Sequence, residues 1–301
     1  MGRGDRIMRF LMFTKMLKNK GNLSLSEAGD YIARMGFDGV DLTVREGGYV
    51  PPEETVKRLP EAIGILRSKG LEVPMITTNI TDARRDRAEE ILKTASECGV
   101  KYVKLGYWRY TGFGKITECI EEAKAQIREL YMLSKEYGIT ATIHTHAGPY
   151  LSADPGLLFM LLRDYEPDWM GAYIDPGHMF AETGPYGWEM AIDLLAPYIR
   201  LVAAKNYRWI RSLEGEGGEP EGEGEGGEEK KKRVRRWEIR MMPLREEIVP
   251  WPEVFGRLKA IGFDGCVSLH SEYEHLSFQD LIRQTEDDLM YLRQIALRVL
   301  P

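Results

Sequence analysis

The sequence has few of the residues that build disulfide frameworks or membrane spans. It contains 3 cysteines in 301 residues, and Cys98, Cys119 and Cys266 lie far apart without a C-x-x-C pair. Neither a disulfide framework nor a thiolate metal site is therefore indicated, and we expect a cytoplasmic protein. No run approaches the roughly 18 consecutive apolar residues of a membrane span, so no membrane partner is predicted.

The sequence also lacks an excess of basic residues and the common nucleotide-binding motifs. Lys and Arg number 41 against 47 Asp and Glu, which gives a formal net charge of −6. A dedicated nucleic-acid binder would show a basic face or stripe, so no nucleic-acid partner is expected. No G-x-G-x-x-G follows the first strand-like segment, and no P-loop occurs, so the usual signals of a dinucleotide or nucleoside triphosphate site are absent.

One segment stands apart from the rest of the chain in composition. Residues 214–229 contain only Glu, Gly and one Pro, and residues 230–236 are basic apart from Val234. Such a segment has almost no apolar surface to bury, which predicts a disordered, low-complexity loop at about residues 212–236. We interpret it as a solvated insertion, with a regulatory or partner-binding segment as the alternative.

Outside this insertion, strand-like and helix-like segments alternate along residues 1–301. The pattern predicts, among other elements, a strand over Ile7–Phe13, a helix over Ile116–Tyr137, a turn at Pro176 and Gly177, and a helix over Trp188–Ala196. Eight such strand–helix units are present, which predicts a single-domain α/β fold, a (β/α)8 TIM barrel with the insertion after its seventh strand. A doubly wound open sheet is the alternative fold. The phrase Gly-Phe-Asp-Gly occurs at residues 36–39 and again at residues 262–265, each time between a helix end and a strand start.

Polar residues cluster where the late predicted strands end, which is where a barrel places its active site. Four of the 5 histidines are among them. Residues two apart on a strand face the same side, so His144 and His146 should point together, as should His270 and Glu272. The complete set at the ends of strands five to eight is His144, His146, Asp175, His178, Lys205, Asn206, His270 and Glu272.

Imidazole and carboxylate groups converging at one barrel end are typical of a divalent metal site with open positions for water or substrate. A metal-free acid–base site and purely structural polarity are the two alternatives. Lys205 could orient a substrate oxygen, pair with Asp175 or extend towards solvent. Near the ends of the third and fourth strands, Asn79, Trp108 and Arg109 could bind a sugar through hydroxyl contacts and ring stacking, or simply pack a loop.

These residues resemble the sugar phosphate isomerase/epimerase superfamily, also called the xylose isomerase-like TIM barrel family. The resemblance covers nearly the whole chain outside the insertion. It is carried by five segments: Gly36–Val40, Ile143–His146, Ile174–His178, Lys205–Asn206 and Phe263–Tyr273. The resemblance implies a divalent metal at the barrel mouth and proton transfer next to a carbonyl. It also implies a sugar or cyclitol substrate.

The sequence departs from the ketose epimerases of this family at three of their four metal ligands. His144 and His270 stand where those enzymes have glutamates, and Ala203 stands where they have a histidine two residues before the lysine. Asp175 alone is kept. The resemblance thus implies either a metal site rebuilt from His144, Asp175 and His270, or a metal that is weak or absent. The ion would be Mn²⁺, Zn²⁺, Fe²⁺ or Mg²⁺.

We therefore expect a divalent-metal-assisted isomerase or epimerase, or a related lyase, acting on a sugar or keto-sugar. Expected catalytic residues are Glu272, His178 and Lys205, and expected substrate-binding residues are His146, Trp108, Arg109, Asn79 and Asn206. A non-catalytic carbohydrate-binding barrel is the alternative, supported by Ala203, and an endonuclease IV-like nuclease fits less well. A homo-oligomer is possible, and the sequence leaves the oligomeric state open.

Overall fold

The structure, a computed structural model, describes residues 8–211, 237–246 and 248–299, with the side chain of Trp237 excepted. The predicted disordered insertion at residues 212–236 lies outside these described residues. Ile7, the first residue of the predicted strand Ile7–Phe13, also lies outside them. The strand itself begins at Arg9.

Eight parallel strands of the described chain close into a barrel, which confirms the predicted (β/α)8 fold. The first strand pairs with both the second and the last, with Leu11 opposite Gly39 and Arg9 opposite Cys266. In chain order, the barrel strands are β1 (Arg9–Phe13), β2 (Gly39–Thr43), β3 (Glu72–Thr77), β4 (Tyr102–Lys104), β5 (Thr140–His144), β6 (Met170–Ile174), β7 (Ile199–Ala204) and β10 (Cys266–Leu269).

Helices surround the barrel and connect its strands. They are α1 (Lys15–Asn19), α2 (Leu25–Met35), α3 (Thr55–Arg67), α4 (Ala88–Glu97), α5 (Ile116–Tyr137), α6 (Pro155–Leu162), α7 (Pro176–Leu195), α8 (Trp251–Ala260) and α9 (Phe278–Val299). None of the helices in the described ranges is long and apolar enough to cross a membrane.

Apolar side chains fill the barrel below its carboxyl end. One buried cluster lies inside the barrel and comprises Leu11, Met75, Tyr102, Tyr173, Leu201, Ala203 and Cys266. A larger cluster packs between the strands and the helices and includes Leu42, Ile76, Val103 and Val267. Since side chains alternate along a strand, this inner apolar layer also fixes which residues point into the barrel mouth above it.

The repeated Gly-Phe-Asp-Gly phrase marks two equivalent places in the barrel. Its second glycine begins or immediately precedes a strand: Gly39 opens β2, and Gly265 comes just before β10. A Cβ at Gly39 would lie 2.4 Å from the carbonyl oxygen of Glu72, and a Cβ at Gly265 would lie 2.4 Å from that of Arg200. The repeat therefore reflects strand starts that approach the neighbouring backbone too closely for any side chain.

The structure differs from the sequence-based expectation after β7. Strands β8 (Tyr207–Arg211) and β9 (Trp237–Met241) form an antiparallel pair that the sequence analysis did not predict. They flank residues 212–236 and lie at the carboxyl end of the barrel. In β9, apolar residues alternate with Glu238 and Arg240, which is a strand signal next to a strongly polar segment.

Helix α7 also begins earlier than the predicted Trp188–Ala196 helix. It starts at Pro176, directly after β6, with a break at Gly184, where φ is 71°. Pro and Gly after Asp175 had suggested a turn, but Pro is favoured in the first helical turn and an aspartate before it caps the helix.

Substitution of the two strand-start glycines tests the close approach of neighbouring strands. We expect Gly39→Ala and Gly265→Ala each to lower the free energy of unfolding by about 1–3 kcal/mol, because the added methyl must displace a backbone carbonyl. Urea unfolding measures the change.

Gly64→Ala is the matched control for both glycine variants. Gly64 lies on an exposed face of α3, with nothing within 4 Å of an added Cβ, so alanine should stabilise the protein by about 0.5–1 kcal/mol. Equal effects in all three variants would contradict this account of the repeat.

Candidate active site

The polar residues expected at the strand ends meet at the carboxyl end of the barrel. Lys205 follows β7 and shares the inward face with Leu201 and Ala203, because residues two apart on a strand point the same way. The site is closed from solvent to an unusual degree for charged groups. Its almost fully buried members are His144, Asp175, His178, Lys205 and His270.

The two carboxylate oxygens of Asp175 have different roles. Oδ1 accepts the backbone N–H of His178 at 3.1 Å and so caps helix α7. Oδ2 is buried and has no hydrogen-bond partner among the described residues. It faces Nε2 of His144 at 3.6 Å, Nε2 of His178 at 3.7 Å and Nζ of Lys205 at 3.8 Å. Asp175 thus joins the helix start to the centre of the site.

Lys205 and Glu272 form a buried ion pair that includes a second lysine. Nζ of Lys205 lies 2.8 Å from Oε2 of Glu272, and Nζ of Lys15 lies 2.7 Å from Oε1. Burial favours the neutral carboxyl, but the two ammonium groups outweigh it and hold the pKa of Glu272 well below its ordinary value. Burial likewise opposes the charge of Lys205, yet the Glu272 carboxylate raises the pKa of Lys205 well above its ordinary value. Both groups are therefore charged at neutral pH.

His178, in the first turn of α7, contacts this ion pair. Its Nε2 lies 3.2 Å from Nζ of Lys205 and 3.3 Å from the hydroxyl of Tyr207. Burial lowers the pKa of His178 well below its ordinary value, and the neighbouring His146 and Lys205 add to the effect. The ring centroid of His146 lies 4.0 Å away, and burial together with Lys205 lowers the pKa of His146 to about 3. Both imidazoles are therefore neutral at pH 7, and each is a weaker base than an ordinary histidine.

His144 is held by one ring nitrogen and leaves the other without a partner. Its Nδ1 lies 2.8 Å from the hydroxyl of Tyr107, while Nε2 is buried and has no hydrogen-bond partner among the described residues. Burial lowers the pKa of His144 well below its ordinary value, and the charge of Lys205 lowers it further. The free Nε2 faces Oδ2 of Asp175, so two unsatisfied polar atoms meet at the centre of the site.

His270 connects the Glu272 carboxylate, whose Oε2 lies 3.8 Å from Nδ1 of His270, to a second hydrogen-bond network inside the barrel. Its Nε2 lies 2.8 Å from the hydroxyl of Tyr173, and its ring stacks on Phe13 with centroids 4.2 Å apart. The Tyr173 hydroxyl also lies 3.4 Å from Oδ2 of Asp41. Asp41 in turn accepts hydrogen bonds from two buried hydroxyls, those of Thr77 at 2.7 Å and Ser268 at 2.9 Å. This network fixes the orientation of the His270 ring.

The described residues do not fit the predicted metal site. Free donor atoms are present on His144 and Asp175, and their 3.6 Å separation would suit two ligands of one ion. Nε2 of His270, however, already contacts the hydroxyl of Tyr173 at 2.8 Å. Among the described residues, no group of three or more His, Cys, Asp or Glu side chains is arranged to hold a metal ion.

Two of the predicted substrate-binding residues use their polar atoms elsewhere. The Trp108 side chain is buried, and its Nε1 donates to Oε1 of Gln126 on α5 at 2.6 Å. The amide of Asn206 donates to the carbonyl of Pro243 at 2.8 Å and accepts the backbone N–H of Val249 at 3.3 Å. Both side chains therefore hold loops in place around the site.

The other three predicted substrate-binding residues lie nearer the surface. Arg109 is exposed, with its guanidinium 5.3 Å from the ring centroid of Tyr150, and Asn79 is exposed as well. His146 is half-buried at the barrel mouth, with Tyr150 and Tyr107 at ring-centroid distances of 5.4 Å and 4.9 Å. Of the five residues, His146 is the one that contacts the buried imidazoles.

Several site residues were missed in the sequence. Lys15, Asp41, Lys104, Tyr107, Tyr173 and Tyr207 all contact the cluster or its supporting network. Asp41 and Lys104 carried a usable signal, since each is a charged residue within or at the end of a buried strand, where charges need partners. The tyrosines carried none, because a tyrosine in a strand is ordinary.

Comparisons with known proteins identify the family to which this barrel belongs. The family model described as "Xylose isomerase-like TIM barrel" matches residues 30–295. That match covers most of the chain. The chain belongs to the xylose isomerase-like TIM barrel family. Among curated proteins, no match to this sequence is found.

Solved structures of this family share the fold at low sequence identity. A xylose isomerase-like TIM barrel protein from Mycobacterium smegmatis, in complex with magnesium, is 14% identical, with a TM-score of 0.71 and 100% of each chain covered. D-psicose 3-epimerase with D-tagatose from Clostridium cellulolyticum H10 is 14% identical, with a TM-score of 0.66, over 96% of this chain and 99% of that chain. A probable 3-DHS dehydratase from Bacillus anthracis is 15% identical, with a TM-score of 0.68, over 95% and 99%. At these identities the likeness establishes the fold, and the chemistry has to come from the site.

Neutralising Glu272 tests the buried ion pair. Glu272→Gln keeps the size of the side chain but leaves the ammonium of Lys205, which is 3% exposed, without its closest carboxylate. We expect a loss of about 3–5 kcal/mol in the free energy of unfolding, measured by urea unfolding at pH 7. Because the pKa of the folded-state carboxyl is lowered, its contribution is present above the ordinary glutamate pKa. The loss should therefore persist down to about pH 5 and fade only in stronger acid.

The exposed pair of Arg257 and Glu189, whose atoms lie 2.6 Å apart, supplies the control. Glu189→Gln should cost less than about 1 kcal/mol, because both partners are solvated. An equally small effect for Glu272→Gln would show that the buried pair does not stabilise the fold.

Proposed function

We propose that this protein is a sugar isomerase or epimerase, or a related lyase, that moves a proton on the carbon next to a carbonyl. One observation carries the proposal. The neutral imidazoles of His144 and His178 flank the Asp175 carboxylate within 4 Å, beside the charged ammonium of Lys205. A proton acceptor and a fixed positive charge are what enolate formation requires.

The groups of the site divide naturally between proton transfer and charge stabilisation. Glu272 is a weak base here, because both of its oxygens contact ammonium groups. His178 and His144 are uncharged, so each has one ring nitrogen without a proton, and their ring centroids lie 6.1 Å apart. One would take the proton from the substrate carbon, while the electron pair of the broken C–H bond moves towards the carbonyl oxygen. Lys205 would donate a hydrogen bond to the oxygen as negative charge develops.

Aromatic rings at the mouth support a sugar-like substrate. The rings of Tyr107 and Tyr150 lie 4.9 Å apart, and that of Tyr207 lies 4.8 Å from His178. Tyr150 also lines a cavity of about 300 Å³ beside the site, which has Gly148 and Glu182 in its wall. Rings of this kind pack on the apolar faces of sugars, and nearby hydroxyl and imidazole groups bind sugar hydroxyls.

The same enolate could lead to any of the three reactions. Return of the proton to the opposite face gives an epimer, return to the neighbouring carbon gives an isomer, and loss of a β-hydroxyl gives a dehydrated product. The solved neighbours include both an epimerase and a probable dehydratase, which supports the shared first step and leaves the final product to experiment.

Exchange of substrate hydrogen with solvent tests the proposal directly. The purified protein is incubated in D₂O with a panel of ketoses, keto-glycosides and dehydro-cyclitols, and deuterium next to the carbonyl is followed by NMR. We expect exchange with at least one compound. His178→Asn and His144→Gln should each slow it by about 10²–10⁴-fold, since each removes a proton acceptor.

His275→Asn is the matched control, because His275 is exposed and lies outside the cluster. It should leave the exchange rate unchanged. Saturable binding of a sugar without exchange would instead favour the carbohydrate-binding alternative, for which Ala203 is the specific observation. Equal loss in all three histidine variants would contradict the assigned roles.

A further inference from the structure

The centre of the site already holds a cation supplied by the chain itself. Nζ of Lys205 lies 2.8 Å from Oε2 of Glu272, 3.2 Å from Nε2 of His178 and 3.8 Å from Oδ2 of Asp175. These are two carboxylates and one imidazole, the same donor types that a divalent metal ion prefers. Lys205 therefore contacts the donors that a metal would need.

A second ammonium completes the neutralisation of Glu272. Nζ of Lys15 lies 2.7 Å from Oε1, on the other oxygen of the same carboxylate. Both oxygens of Glu272 are thus already bound by positive charges. A divalent ion at this carboxylate would have to displace an ammonium group, and near either lysine it would meet direct charge repulsion.

The inward residue of β7 next to Lys205 offers no metal ligand. Ala203 precedes Lys205 by two residues and so shares its inward face. Its methyl group is completely buried in the apolar cluster that includes Leu201, Tyr173 and Cys266. The inward position of β7 nearest the site is thus occupied by a side chain that has no lone pair for a metal. The cation next to it, the ammonium of Lys205, is covalently part of the chain.

We propose that the ammonium of Lys205 is the resident cation of this site and supplies the positive charge that a divalent metal ion would otherwise bring. The inference rests on the proposed function, since it names the group that stabilises the enolate oxygen. The lysine needs only a hydrogen bond from Nζ to that oxygen, so no electron leaves or enters the site. The proton released from the substrate carbon goes to an imidazole and is returned from it.

Direct titration with Mn²⁺ tests the proposal without using turnover. Protein dialysed against a chelator is titrated with Mn²⁺ alone, and free Mn²⁺ is measured by electron paramagnetic resonance. We expect no saturable binding up to about 1 mM metal, and neither Mn²⁺ nor chelator should shift the thermal midpoint. One Mn²⁺ bound per chain at micromolar concentrations would overturn the proposal.

Variants at position 205 show whether the ammonium is what keeps the ion out. Lys205→Met removes the charge at similar side-chain length. The carboxylates of Asp175 and Glu272 then no longer face the ammonium of Lys205. We expect Lys205→Met to bind Mn²⁺ with a Kd of about 0.1 mM or less, at least 10-fold below the limit expected for the parent. Lys205→Arg, which keeps the charge, should resemble the parent. Circular dichroism confirms that each variant is folded.

If folded Lys205→Met gains no Mn²⁺ affinity, the ammonium does not occupy the place of a metal and the proposal fails. Because every readout is metal binding or thermal stability, the result is independent of the D₂O exchange experiment. A protein that exchanges no sugar hydrogen but excludes Mn²⁺ in this way would refute the proposed function and leave Lys205 as the resident cation.

Discussion

The buried interaction of Lys205 with Glu272 is the constraint on which the rest of the site depends. A charge removed from water is tolerated only when an opposite charge and hydrogen bonds replace the lost solvation. Glu272 meets that requirement for Lys205, and Lys15 meets it for the second oxygen of Glu272. The pair also sets the protonation of its surroundings. The positive charge of Lys205 helps to keep His144, His146 and His178 neutral.

The carboxylate of Asp175 is positioned by the start of a helix and not by a separate loop. One oxygen caps α7, so the carboxylate is held by the same interaction that starts the helix. Gly177 allows that helix start to lie against the end of β7, since a Cβ there would be 2.9 Å from the carbonyl oxygen of Lys205. The helix cap, the close backbone approach and the position of the Asp175 carboxylate are therefore parts of one arrangement.

The barrel could be predicted from the sequence because its signals are local. Runs of branched residues, glycine at helix ends and eight repeated units all reflect short-range geometry, and helix α5 over Ile116–Tyr137 matches its predicted bounds. The gathering of His144, Asp175, His178, Lys205 and Glu272 also follows from strand parity and barrel closure. Which atoms contact which does not follow, because it depends on rotamers and on partners distant in sequence. Lys15 and Glu272 are 257 residues apart. The contact of Trp108 with Gln126 depends on side-chain torsion angles, which no sequence pattern encodes.

When the cation is a lysine side chain and not a bound metal ion, the free-energy cost of burying its charge arises at a different stage. A metal site leaves its carboxylates mutually repelling until the ion binds, and binding then adds to folding stability. A lysine is present as soon as the barrel closes. The free-energy cost of desolvating the charges therefore arises during folding, and a chelator cannot remove the cation. The ammonium also carries a single charge and donates directional hydrogen bonds, whereas a divalent ion can bind two substrate oxygens at once. Under the proposed function, the identity of the cation at the end of β7 would decide how the enolate oxygen is stabilised and how strongly the other contacts must hold the substrate.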